Sequence, residues 1–452
     1  MNAKICVLAV SIGFLSISPV FSQSLNQEKM DSLLHGLSLN NKVMGTLAVS
    51  VHGKSVYNGS MGNLSVSDSK SIPANEKTIY RIGSISKVFT ATMVFQLIEE
   101  GKLTLSNKLD TWFPEVPNAK LISIEHLLGH RSGIYNFTND SEYTQWMTMP
   151  KTHAEMLQVI SKNPPVFTPG SKWEYSNSNY VLLSYILEKI TGKLYPELLK
   201  ERITDKIGLT STYYGAEMNT DRNEAKSYGF IGQWKELPET DMSIPSGAGA
   251  VCSTQYDLTK FITALFSNKL IKTESLSRMK SMLEGHGLGL FEYTFSDKKA
   301  FGHNGGIDGF ISMLRYFPEE GIAVAFCTNG QAYPLEEIYH GILSICFNKA
   351  YEIPVFKAYA LHSIRTEDLD KYLGVYESSV VPMKITITKN DTILIAQGDG
   401  QSAFPLEYTA PDQFQFEAAG IKIEFNPEKE ELLLKQGGGS FLFKAVREMT
   451  SE

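Results

Sequence analysis

The segment from Ser84 to Glu100 constrains the fold more than any other. Val88, Phe89, Met93, Phe95, Leu97 and Ile98 give it apolar faces at helical spacing, and Gly101 stops it. A helix that is apolar on more than one face must be enclosed by other elements, so the chain has to build a large core around it. At 452 residues there is material for that core and for a smaller module besides. Hydrophobic content of 42% and charged content of 20% are those of a soluble globular protein. A net charge of −7 leaves no basic footprint, which argues against nucleic acid as a partner.

The flanking pattern suggests how the core is closed. Glu28 to Gly36 reads as a short amphipathic helix. Leu47–Val51 and Ser55–Gly59 flank His52-Gly53-Lys54, a hairpin signal. Helices are expected near Ile124–Leu128, Ala154–Ser161, Tyr180–Thr191 and Leu258–Ser267. Strands return at Phe310–Phe317 and Ile322–Thr328, joined by Pro318-Glu319-Glu320-Gly321, and a helix over Pro334–Phe347 follows. One antiparallel sheet can thus be drawn from both ends of this region, with helices inserted between. After Pro354 the pattern changes to eight short strands, from Tyr372–Glu377 to Phe441–Ala445. Turns such as Lys389-Asn390-Asp391 and Gly437-Gly438-Gly439 separate them. Eight sequential strands predict a small up-and-down barrel. The expected division is residues 1–22 as a signal peptide, 23–352 as the α/β domain, 353–368 as a linker and 369–452 as the barrel.

The signal peptide rests on Lys4, the apolar run from Ile5 through Leu15, and Val20-Phe21-Ser22 as a cleavage site. The run is too short for a membrane span, and Cys6 lies too early for acylation. Export to the periplasm or medium is therefore expected, with no stable membrane insertion afterwards. Cys252, Cys327 and Cys346 remain, an odd count that is no disulfide framework. Cys327, within an apolar run, is expected as a buried thiol.

Candidate chemistry begins with Ser-x-x-Lys, which occurs four times, at Ser67, Ser84, Ser277 and Ser296. Only Ser84-Ile85-Ser86-Lys87 opens a long apolar helix. There the two side chains share a face, with Cβ atoms roughly 5–6 Å apart. Burial would lower the Lys87 pKa and leave an amine able to take the hydroxyl proton. Free N–H groups in the first turn can stabilise an oxyanion. The same residues also read as a serine N-cap beside a solvated lysine. Among 21 tyrosines, Tyr175-Ser176-Asn177 is the single Tyr-x-Asn. It follows a Pro-Gly turn, so it can aim a phenol and an amide at one point: Tyr175 to relay a proton, Asn177 to hold a substrate carbonyl and orient Lys87. Gly302-His303-Asn304-Gly305-Gly306 stands just before the Phe310 strand. Its glycines allow a close approach, and His303 can bind or polarise substrate.

In this order the three elements resemble the penicillin-recognising serine hydrolases, a group of class C β-lactamases, D-Ala-D-Ala carboxypeptidases, D-aminopeptidases and esterases. Tyr80-Arg81-Ile82-Gly83, Glu125 to Gly133, and Pro245-Ser246-Gly247-Ala248-Gly249 resemble the same group, and the likeness covers roughly Leu33 to Phe347. The resemblance implies an α/β sandwich with Ser84 as nucleophile and Lys87 and Tyr175 sharing the acid and base work. Asn177, His303, Asn304 and Gly305 would bind substrate, and the N–H groups of Ser84 and Gly306 would form the oxyanion hole. It implies no cofactor and no metal, and a small molecule or peptide as substrate. The tail from Leu369 resembles the barrel appended to some peptidases and hydrolases of the group.

One motif departs from the pattern: His303-Asn304-Gly305 stands where β-lactamases have Lys-Thr-Gly. A histidine half-charged near neutrality would hold a carboxylate less firmly and make catalysis respond to pH near 6–7. No other fixed cation can be placed beside it. A D-amino-acid peptidase or esterase is thus the first expectation, a β-lactamase the second, and a non-turnover penicillin-binding sensor or scaffold the third. His126 and His130 have zinc-helix spacing, but Leu127 replaces the required glutamate, so both are expected to be structural.

Overall fold

The computed structural model describes residues 25–67, 70–356, 365–390, 392–401 and 403–446. The expected signal peptide, with Cys6, and most of the expected linker lie outside these residues.

The expected hairpin forms between the strands Val43–Val51 and Lys54–Met61. Its two-residue turn is His52-Gly53, at φ +48° and +76°. Both turn residues are left-handed, which matches the twist of the flanking strands. Phe310–Phe317 pairs antiparallel with Ile322–Gln331, which in turn pairs with Val43–Val51. The first strand pair and the last strands of the α/β region therefore meet in one sheet, as the pattern of the two chain ends required. Phe291–Phe295 and Lys298–Ile307 extend the sheet beyond Phe310–Phe317.

Period-two alternation divides the sheet between two cores. Val324 and Phe326 face a cluster with Leu33 and Leu34 of the helix Gln27–Leu39 and with Ile338 and Ile342 of the helix Leu335–Cys346. Ala323, Ala325 and Cys327 face the larger cluster, which holds Phe89 and Phe261. The helix Ser86–Glu99 lies inside this larger core, with every residue from Ser86 to Leu97 buried. Its burial on all sides explains why so few of its positions are charged. Phe89 stacks on Phe261 of the helix Gln255–Phe266, with centroids 3.7 Å apart. Cys252 and Cys327 are buried free thiols, and Cys346 is also free.

The expected barrel is present: eight antiparallel strands in sequence order, from Gly374–Glu377 to Gly439–Ala445, close on themselves. Ile387, Leu394, Ile423, Leu432 and Phe443 fill its interior. Closure leaves it no exposed edge, which lets a small all-β module stand at the end of a chain. Tyr372 belongs to the 3-10 turn Thr366–Tyr372 rather than to the first strand. An ion pair between Lys42 and Glu417 links the barrel to the α/β region.

The structure corrects one placement that matters for the site. Gly302–Gly306 does stand before the strand at Phe310, but it is not a loop leading into it. It lies within the strand Lys298–Ile307, which runs beside the turn carrying Ser84. Three glycines in five residues lower β-propensity and hide a strand from sequence patterning. Tertiary packing overrides that preference. A Cβ on Gly305 would sit 2.0 Å from the Ile82 carbonyl oxygen, so only glycine lets the strand come this close.

Candidate active site

Ser84 lies in the 3-10 turn Gly83–Ile85, immediately before the buried helix. Gly83 makes the turn possible, at φ +49° and with no room for a side chain. An added Cβ would meet the Gly306 nitrogen at 2.7 Å. The same contact sets the Gly306 backbone beside the serine turn.

One turn later, Lys87 is wholly buried. Its Nζ lies 2.9 Å from Ser84 Oγ, 2.7 Å from Asn177 Oδ1 and 2.8 Å from the Ala248 carbonyl oxygen. Burial holds the Lys87 pKa well below the ordinary amine range. A neutral amine has two N–H donors and one lone pair. Asn177 Oδ1 and the Ala248 carbonyl can only accept, so they take the two donors, and the lone pair faces Ser84 Oγ. The geometry thus fits an amine that receives the serine proton. The carbonyl of Ala248, in the turn Ser246–Ala248, is a partner that sequence reading could not name, because a backbone acceptor leaves no residue signature.

Tyr175 supplies the second contact, its hydroxyl donating to Ser84 Oγ at 2.8 Å. Burial raises its pKa above the ordinary phenol range, so the phenol stays protonated. Lys87 Nζ is 4.9 Å from the Tyr175 ring centroid. Asn177 opens the helix Asn177–Thr191. It is fixed by Asn136 Oδ1, which accepts its N–H, and by Thr138 Oγ1, which accepts from its Nδ2. The side-chain oxygen is thereby turned to Lys87.

His303 is 4% exposed and lies among Phe291 and Tyr175, at centroid distances of 4.5 and 6.3 Å. Burial, with Lys87 nearby, lowers its pKa to about 3. Burial thus favours the neutral ring and works against the titration expected near pH 6–7. Its Nδ1 is paired with the Asn304 carbonyl, so Nδ1 carries the hydrogen and Nε2 is left as an acceptor.

Asn304 is exposed, and its Oδ1 accepts from Arg315 Nη2 at 2.8 Å. That bond orients the amide so that its N–H pair is the free end. Arg315 is buried on the neighbouring strand, with its guanidinium 3.2 Å from the Tyr293 ring centroid. A fixed cation therefore stands beside this motif, one that could not be placed there from sequence. It was invisible in sequence because Asn304 and Arg315 meet only through strand pairing.

The remaining Ser-x-x-Lys serines are elsewhere. Ser67, Ser277 and Ser296 are all exposed. His126 Nδ1 accepts from the Ser123 N–H in a helix capping box. His130 instead packs against Tyr175 at a centroid distance of 4.3 Å. Among the described residues no cluster of His, Cys, Asp or Glu could hold a metal ion.

Comparison with known proteins agrees with this architecture. Residues 35–343 match the family described as Beta-lactamase. Penicillin-binding protein 4* of Bacillus subtilis (strain 168) is 26% identical over 382 residues, covering 78% of this chain and 84% of that protein. The teichoic acid D-alanine hydrolase of Staphylococcus aureus (strain MRSA252) is 25% identical over 291 residues, covering 62% and 70%. The D-amino acid amidase of Ochrobactrum anthropi SV3, in a crystal structure with L-phenylalanine, superposes with a TM-score of 0.64 at 26% identity, covering 71% of this chain and 98% of that one. With the family matched over most of the chain and a serine in contact with a buried lysine at the centre of its fold, this protein is a serine hydrolase belonging to the Beta-lactamase family.

Proposed function

We propose that the protein is an exported hydrolase that cleaves amide or ester bonds of D-amino-acid compounds through an acyl-enzyme on Ser84. The observation that carries the reading is the pair of contacts on Ser84 Oγ, one from a buried amine and one from a protonated phenol. Neutral Lys87 takes the Ser84 proton as Oγ attacks the carbonyl. The N–H groups of Ser84 and Gly306 receive the oxyanion. Tyr175 gives its proton to the leaving atom as the acyl bond breaks, and regains one from Lys87. Water then repeats the sequence on the acyl-enzyme. The preference for D-amino-acid substrates is supported by relatives named for D-alanine and D-amino acid hydrolysis. Export is supported by the apolar run near the N-terminus.

Arg315 and Asn304 favour a second reading, in which the leaving part carries an anion such as the carboxylate of a β-lactam or a peptide. The two readings separate in a side-by-side measurement on D-alanine p-nitroanilide, p-nitrophenyl acetate and nitrocefin. The first predicts that kcat/KM on the amide or ester exceeds that on nitrocefin. Dominant nitrocefin turnover would replace it with the second.

A further inference from the structure

Tyr175 is held from both sides by one residue. The N–H groups flanking it belong to Glu174 and Ser176. Glu174 N–H donates to the His130 carbonyl at 3.0 Å, and Ser176 N–H donates to His130 Nδ1 at 3.2 Å. The His130 ring also lies along the Tyr175 phenol, with an interplanar angle of 28°. Tyr180 lies 5.2 Å from the same imidazole. His130 is 2% exposed and adopts φ +55°, a conformation that a non-glycine residue keeps only where its surroundings impose it.

Neighbouring bonds make this a clasp. Arg131 and Gly133 carbonyls accept from the N–H groups of Gly170 and Val166. Ser132 Oγ donates to Asn179 Oδ1 at 2.6 Å. The segment 130–133 thus ties down the loop that presents Tyr175. Because Nδ1 accepts a backbone N–H, the imidazole is neutral with its hydrogen on Nε2. Burial favours that neutral form.

We propose that His130 is a positioning residue, fixing the Tyr175 phenol for proton transfer to the leaving group. The inference rests on the proton-carrying role given to Tyr175 above. In that step the carbonyl–oxygen bond of an ester breaks, and the leaving oxygen takes the Tyr175 proton. Tyr175 is reprotonated by Lys87, which holds the proton taken from Ser84. A methoxide leaving group needs this proton, whereas p-nitrophenolate departs without it.

The test compares D-alanine methyl ester with D-alanine p-nitrophenyl ester, with kcat/KM expressed per Ser84 labelled by a fluorophosphonate. His130→Phe keeps a ring and removes the acceptor. It is expected to lower the methyl ester value about 10–10²-fold and the aryl ester value less than about threefold. His130→Asn places an amide oxygen near the Nδ1 position and tolerates the left-handed backbone. It should keep the ratio of the two substrates within about threefold of the unmodified protein. If His130→Phe does not fold, His130→Gln, whose polar atoms lie one carbon farther out, serves in its place with the same expected shift. Adding His130→Phe to Tyr175→Phe should lower the methyl ester value little below that of Tyr175→Phe alone. Equal loss on both esters, or fully additive losses in the double variant, would overturn the proposal. Absence of Ser84 labelling in the unmodified protein would instead remove the acyl-enzyme reading beneath it.

Discussion

In the proposed mechanism the chemistry turns on Lys87, because its three contacts leave a lone pair directed at only one of them, Ser84 Oγ. Lys87→Ala should keep the fold and lose activity by several orders of magnitude, roughly 10³-fold or more, since an unactivated serine is a weak nucleophile. Tyr175→Phe should cost about 10²–10⁴-fold, the usual worth of a placed proton carrier. Steady-state kinetics on any turned-over ester checks both, and near-normal rates in either variant would refute the assignment. A second expectation concerns pH. The His303 pKa is about 3 in the folded chain, against 6.5 for a free imidazole. Between those values the unfolded chain binds the proton and the folded chain does not, so stability falls as pH drops from 6.5 towards 3. His303→Gln should flatten that dependence in denaturant titrations. An unchanged slope would show that the imidazole is not held neutral. Ser84, Lys87, Tyr175 and Asn177 were legible in the sequence because each sits in a local motif. His130 and Arg315 were not, because each reaches its partner only through tertiary structure.

At the scale of elements, the close approach of a glycine strand to the serine turn sets the site. Two neighbouring glycines make the point testable. A Cβ at Gly305 would strike the Ile82 carbonyl, whereas at Gly306 it meets nothing within 4 Å. Gly305→Ala should therefore lower the melting temperature, with an overpacking cost of about 1–3 kcal/mol, and should nearly abolish activity. Gly306→Ala should leave the melting temperature unchanged. Equal thermal shifts in the two variants would mean the strand is not packed as described. The strands Phe310–Phe317 and Ile322–Gln331 were readable from their apolar runs and the turn between them. Tyr80–Arg81 and Tyr213–Tyr214, two residues each, are too short to show any period. Their pairing with Val251–Ser253 is decided by what packs around them.

For the whole molecule, the α/β region holds every residue of the candidate site, and the barrel has a core of its own. The barrel was legible because alternation and turn residues recur at short spacing through the tail, and closure then needs only sequential pairing. A chain ending at residue 361 should fold and keep the reactive serine, with substrate preference as the property open to change. Insoluble or unlabelled truncated protein would show that the barrel is integral to the larger core. The proposed mechanism requires Ser84 to be the nucleophile. Intact-mass spectrometry after treatment with a fluorophosphonate, followed by peptide mapping, measures it directly. The predicted result is a single adduct on Ser84 that disappears in Lys87→Ala. An adduct on Ser67, Ser277 or Ser296, or one on Ser84 that forms equally fast without Lys87, would contradict it.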